Sequence, residues 1–246
     1  MTRAQQQVAI LSNLQAIDFM CALLLVKDPS IYFLDKKTIE HDTIVPWNVA
    51  GSARHIEFAT IDRAALNSGI VAIRALMEFL GVRASKPKVG EEPTLRIKIG
   101  RLSDPGEDFH WSFIPNARPF TPEILDSPVL TEFETLLSDQ EKCSLREVLT
   151  HVLRAASMYV THLVHPIDAG GTTNGQVVVA GTLTCIAVQE LVLLPAWGSR
   201  FDEVVYRNST LILPAPLASK RTIYLEELRT EFAKAIQRIM KNQNMK

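Results

Sequence analysis

A mainly α fold, a bundle of four or more helices with a proline-rich excursion and a minor β hairpin, is what this sequence predicts, and three observations predict it. Apolar residues recur at steps of three and four in several long segments, the spacing that puts them on one face of a helix. The apolar share is 47% of 246 residues, ample for a sizeable core. The segment from about 84 to 126 breaks this pattern with repeated prolines and with Gly90, Gly100 and Gly106, so we expect a single helical domain over 1–246 with an irregular insertion there.

In order along the chain, a first helix is expected from about Ala4 to Val26. Its apolar end, Phe19 to Val26, follows Asp18 and several glutamines and precedes no small-residue cleavage site, which argues for a buried helix rather than a signal peptide. Asp28, Pro29 and Ser30 end it. The second helix spans about Ala53 to Leu80, with Ile56, Ala59, Ile70, Ile73, Leu76, Met77 and Leu80 inward and Gly81 just past its end. Within the insertion, Leu95, Ile97 and Ile99 alternate with Arg96, Lys98 and Gly100, the mark of one strand.

A short helix from about Pro128 to Leu137 leads through SDQEKC into the central helix, and so brief a connection makes the two antiparallel. After Pro166, DAGGTTNGQ is glycine-rich but lacks the lysine of a phosphate loop and the spacing of a dinucleotide fingerprint, so it is taken as a loop. Val177 to Leu194 suits a buried helix or two buried strands, with helix favoured. Two β-prone runs around Asn208 and Ser209, within Phe201 to Pro214, suggest the small hairpin. Leu225, Leu228, Phe232, Ile236 and Ile239 mark a last helix from about Thr222 to Lys241, whose Lys234, Arg238 and Lys241 complement the negative end of its dipole.

Composition narrows the function. With 26 basic and 27 acidic residues, the net charge of −1 gives no whole-chain signature of a nucleic-acid binder and leaves only a local basic patch open. Cys21, Cys143 and Cys185 are odd in number and form no CxxC, which argues against a disulfide framework or a cysteine zinc site and for a reducing, cytoplasmic setting. Gln189, Glu190 and Pro195 interrupt the apolar run from Val177 to Trp197, so no membrane span is expected.

The central helix, Ser144 to Pro166, holds the candidate site. Ser144 with Glu147 three residues on is a capping box, and Pro166 supplies the stop. Leu145, Val148, Leu149, Val152, Leu153, Ala156, Val160, Leu163 and Val164 form a broad apolar face. Glu147, His151, Arg154, Met158, His162 and His165 follow a second line, so half of the six histidines share one stripe. His162 and His165, at i and i+3, could share a metal ion completed by Asp168, Glu190 or His110. No HExxH or Glu-x-x-His pair accompanies them, and we assign no metal and no cofactor. The structural alternative makes His162 a hydrogen-bonded histidine between helices and His165 a C-terminal cap. His110, beside Asp108, Phe109 and Trp111, reads as an exposed loop histidine, and Arg74 with Glu78 as an i, i+4 pair able to face the stripe.

Three patches carry a resemblance: AIRALMEFLG at 72–81, the acid and aromatic element Glu107 to Phe109, and MYVTHLVH at 158–165, 21 residues in all. In this order they are similar to a group of bacterial helical proteins that resemble the HEPN superfamily, with Ile73 where members often carry a histidine. Active HEPN ribonucleases resemble one another in an arginine followed after four to six residues by a histidine, and Arg146 and His151 stand at that spacing, with Glu147 where a smaller polar residue is usual. The resemblance implies an RNA-directed, metal-independent endoribonuclease whose two sites meet across a homodimer, with Arg146, His151 and His162 as catalytic candidates. Imidazole can move the ribose 2′-OH proton while guanidinium stabilises charge on the phosphate. The alternative is a non-catalytic helical module that binds a protein partner or its own copy. The first requires the three residues to converge on an open, positively charged cleft, and the second has them buried or scattered beside an exposed apolar patch.

Overall fold

In the computed structural model the described residues are 3–27, 52–85, 92–100, 110–131, 143–162, 172–198 and 215–243. They are mainly helical, with one two-stranded antiparallel sheet. The elements are α1 (Arg3–Lys27), α2 (Ser52–Phe79), β1 (Val82–Ala84), β2 (Leu95–Ile97), a 3-10 turn (Trp111–Phe113), α3 (Pro122–Leu125), α4 (Pro128–Thr131) and α5 (Leu145–His162). There follow α6 (Asn174–Val188), a π turn (Gln189–Leu193), α7 (Leu194–Trp197) and α8 (Ala215–Gln243).

Helix α6 is the axis of the bundle. Its residues from Gly175 to Val188 are all buried, as a helix apolar on every side must be, and α1, α2, α5 and α8 pack around it. The segment Asn174–Trp197 is long and apolar enough to cross a membrane, yet 94% of its most apolar 18-residue window lies inside this fold. Each surrounding helix offers one apolar stripe: Ile10, Leu14, Ile17, Met20, Cys21 and Leu24 on α1, Ile70, Ile73, Leu76 and Met77 on α2, and Phe232, Ala235, Ile236 and Ile239 on α8. Glycines set how closely α1 can lie. A Cβ on Gly181 would stand 2.7 Å from the Cys21 sulfur and 3.0 Å from Ile17 Cγ2, so only glycine lets α1 seat on α6 there.

Helix α6 starts at a capping box the sequence reading places in a loop. The Thr173 hydroxyl accepts the Gln176 N–H at 3.2 Å, and Gln176 Oε1 accepts the Thr173 N–H at 3.3 Å. Its far end widens into the π turn just before Pro195. Proline has no N–H for the Leu191 carbonyl and its ring crowds that oxygen in α geometry, so the wider turn relieves the conflict. The Leu191 carbonyl instead accepts the Arg118 N–H at 2.8 Å, which ties the insertion to the bundle axis. The insertion is in part core, for Trp111, Ile114, Phe120, Ile124 and Leu125 are buried in the same cluster.

Helix α2 ends as its sequence requires: Gly81 takes φ of 87°, a left-handed conformation that favours glycine, and donates its N–H to the Glu78 carbonyl at 3.0 Å. The Gly81 carbonyl then accepts the Lys98 N–H at 2.9 Å, which begins the β ladder. Val82 pairs with Ile97, Arg83 with Arg96 and Ala84 with Leu95. The strand expected around Leu95 to Ile99 is thus present as Leu95–Ile97, and its partner, Val82–Ala84, comes from the end of α2 just before the proline-rich segment. The hairpin expected at 201–214 falls outside the described residues, as do residues 132–142 of the short helix and its connection.

Candidate functional site

Helix α5 presents the candidate residues, and its first turn explains why it starts where it does. Glu147 Oε2 accepts the Ser144 N–H at 2.7 Å and its hydroxyl at 2.9 Å, while the Glu147 N–H reaches Ser144 Oγ at 3.2 Å. These bonds, the backbone one first, hold the Glu147 carboxyl below the usual carboxylate range, with His151 one turn on adding a smaller pull in the same direction. Leu145, Val148, Leu149, Val152, Leu153 and Ala156 are buried, so as far as Ala156 the expected apolar face is the packed face, while the side chain of Val160 and all of Leu163 and Val164 fall outside the described residues.

The polar residues run along the other side. Arg146 reaches back to Asp126, the residue that closes α3, with Nη2 to Oδ1 at 2.7 Å. Their side chains are 38% and 57% exposed, so water screens the pair and its contribution to stability is small. His151 is half-buried, and its Nδ1 is shielded from solvent without a hydrogen-bond partner among the described residues. Arg154 is exposed. His162 is the last residue of α5, and its side chain, like that of Met158, falls outside the described residues, as do His165 and Asp168.

The structure thus brings Arg146 to Asp126 and Glu147 close to His151, and no hydrogen bond or ion pair joins Arg146 to His151. Five positions along a helix amount to about 140° of rotation, which accounts for their separation. Arg74 and Glu78 pair with each other on α2, at 2.9 Å and about one-third exposed, and α2 packs against α5.

His110 is buried, contrary to the exposed loop expected for it. Its Nδ1 accepts the Ser112 N–H at 3.3 Å, capping the 3-10 turn, and its ring lies 5.4 Å from Trp111 and 6.3 Å from Phe113. The same nitrogen lies 2.8 Å from Ser112 Oγ, and closing this turn gives His110 a structural task. Asp108 and Phe109 lie outside the described residues. Among the described residues no group of three His, Cys, Asp or Glu side chains is placed to hold a metal. Glu190, one of the residues considered for that shell, is buried in the π turn, where Oε1 accepts the Gln189 amide at 3.1 Å and Oε2 the Gln237 amide of α8 at 3.0 Å. Among the described residues Cys21, Cys143 and Cys185 form no disulfide, and burial pushes the Cys21 thiol up to about 12.

Two features escape the sequence reading. Asp126 as the partner of Arg146 has no local signal, being twenty residues away. The pairing of Arg83 with Arg96 becomes visible only once the ladder register is known. Against these observations, comparison with protein-family models, curated proteins and solved structures finds no match.

Proposed function

We propose that this chain is an HEPN-like, RNA-directed, cytoplasmic helical protein in which Arg146 and His151 of α5 belong to a metal-independent endoribonuclease site. The supporting observation is that both lie outside the packed apolar face of α5: among the described residues Arg146 is held only by an exposed ion pair, and the half-buried His151 has no hydrogen-bond partner at Nδ1. Side chains that the fold does not require are free for chemistry.

In this reading His151 takes the proton of a ribose 2′-OH, and the 2′-oxygen attacks the adjacent phosphorus. Arg146 exchanges Asp126 for the phosphate and neutralises the charge that develops there. The 5′-oxygen leaves with a proton from a second acid, for which His162 is the candidate. Because Arg146 and His151 diverge by about 140° around one helix, a second copy supplies the complementary residue, and the homodimer is part of the proposal.

The alternative, a non-catalytic helical module that binds a protein partner or itself, is favoured by one observation: Arg146 is already engaged with Asp126, and among the described residues no hydrogen bond or ion pair joins it to His151. Purified protein incubated with single-stranded and structured RNA in the presence of chelator separates the two. Cleavage lost in folded His151→Ala and Arg146→Ala variants supports the nuclease, and loss in His162→Ala alone moves the site to the end of α5. Asp126→Ala, which releases Arg146, is expected to raise cleavage. No cleavage of any of these RNAs leaves the interaction module.

A further inference from the structure

We propose that the outward face of the β1–β2 ribbon, carrying Arg83, Arg96 and Lys98, is a docking surface for the phosphate backbone of RNA. The inference rests on the RNA-directed reading above and deepens it by naming where the strand lies.

Arg83 and Arg96 are register partners, and both are exposed. The Lys98 N–H on the Gly81 carbonyl and the Ser85 N–H on the Thr94 carbonyl, at 2.9 and 2.7 Å, fix the alternation of the ladder. It makes Arg83 and Arg96 a hydrogen-bonded pair, whose Cα atoms stand about 5.5 Å apart. Lys98, also exposed, is two residues beyond Arg96 and so on the same face of the ribbon.

Like charges directly opposite on a two-stranded ribbon are unfavourable, and a sequence shaped only by stability would put a carboxylate or a threonine at one of the two positions. Among the described residues no carboxylate pairs with Arg83, Arg96 or Lys98. The chain as a whole carries a net charge of −1, so this is a local concentration of positive charge rather than a reflection of composition. Guanidinium groups present a planar fork that matches phosphate oxygens, and two side by side suit successive phosphates of one strand.

The ribbon is also in the right place. Both strands pack against α5, with Val82 buried and Ala84, Leu95 and Ile97 half-buried, so the ribbon that carries the three cations is seated on the helix that bears Arg146 and His151. Three cations on a short ribbon fall below the four to eight that mark a lipid-binding cluster, which favours the polynucleotide over an anionic membrane.

The test measures binding separately from cleavage. Full-length His151→Ala, which keeps the RNA intact, is titrated by fluorescence anisotropy with a labelled single-stranded RNA over a series of salt concentrations, with and without Arg83→Gln and Arg96→Gln together. Two lost phosphate contacts reduce the slope of log K against log salt by roughly 1.4, and affinity near 0.1 M salt falls roughly 25-fold. Arg238→Gln, an exposed change on α8, serves as the control and leaves both unchanged. The double variant is also expected to melt no lower than its parent, because it removes a like-charge pair, and Arg83→Lys with Arg96→Lys is expected to restore most of the binding.

Binding that is unaltered in the double variant, with the same salt slope, overturns the ribbon proposal and leaves the RNA reading standing. Absence of RNA binding even at low salt overturns the RNA reading and the ribbon's assignment together. In that case, sedimentation with phosphatidylserine vesicles that the double variant loses would assign the face to a membrane surface.

Discussion

Helices α5 and α6 share one core and use their polar residues in opposite ways. On α6 and the π turn that extends it, polar groups sit inside: Thr184 donates to the Ala180 carbonyl at 2.7 Å, and Glu190 accepts amides from Gln189 and Gln237. On α5 the packed face is almost wholly apolar, and Arg146, Glu147, His151 and Arg154 lie away from it. The exception, Thr150, turns its hydroxyl back onto its own helix at the Arg146 carbonyl, 2.7 Å away. Polar residues that hold the fold are buried and paired. Those on α5 are exposed, loosely paired or without a partner, and that difference points the search for chemistry to α5.

The comparison can be attacked at its strongest point first, the packing around α6. Phe120, in the proline-rich segment that docks on the π turn through Arg118, is fully buried in the common core. Phe120→Ala is expected to lower stability by about 3–5 kcal/mol, read from the urea midpoint. A loss below about 1 kcal/mol would detach the insertion from the core. Gly181→Val comes next, at about 1–3 kcal/mol, because its first carbon already collides with Cys21 and Ile17. Gly100→Ala, whose Cβ meets nothing within 4 Å, should be silent.

On α5 the expected effects are smaller. Ser144→Ala removes the cap and should cost about 0.5–2 kcal/mol at neutral pH. The sign with pH follows from Glu147, whose folded carboxyl is held below its ordinary value by Ser144. Its contribution is therefore present above the ordinary carboxylate range and lost as pH falls through the folded value. Thermal melts of wild type and Ser144→Ala should converge as the pH is lowered, and a gap that widens would contradict the assignment.

Much of this architecture is legible in the sequence, for a physical reason. One-sided helices such as α1, α2 and α5 declare their packed face through spacing, and Gly81 and the pair Ser144 and Glu147 declare two of their ends. What is hidden depends on distance or on geometry that spacing does not encode. The strands are equally short, but the alternation around Leu95–Ile97 runs on to Gly100, whereas Val82–Ala84 follows directly on the end of α2 at Gly81 and has no alternation beyond its own three residues. Thr173 and Gln176 spell a capping box, but Gly170, Gly171 and Gly175 around them read as loop. In the candidate site, the line from Glu147 to Arg154 is legible on α5, whereas the capture of Arg146 by Asp126 and the burial of His110 arise from tertiary packing.

The central claim, that the polar side of α5 is not holding the fold while that of α6 is, comes down to urea denaturation of Glu190→Ala and His151→Ala side by side with wild type. Glu190→Ala removes a buried carboxylate that accepts the Gln189 and Gln237 amides and should cost about 1–3 kcal/mol. His151→Ala removes a nitrogen that is already shielded and unpartnered among the described residues, and should change stability by less than about 0.5 kcal/mol. If His151→Ala instead destabilises the protein as much as Glu190→Ala does, His151 is a structural residue and α5 loses its claim to the site.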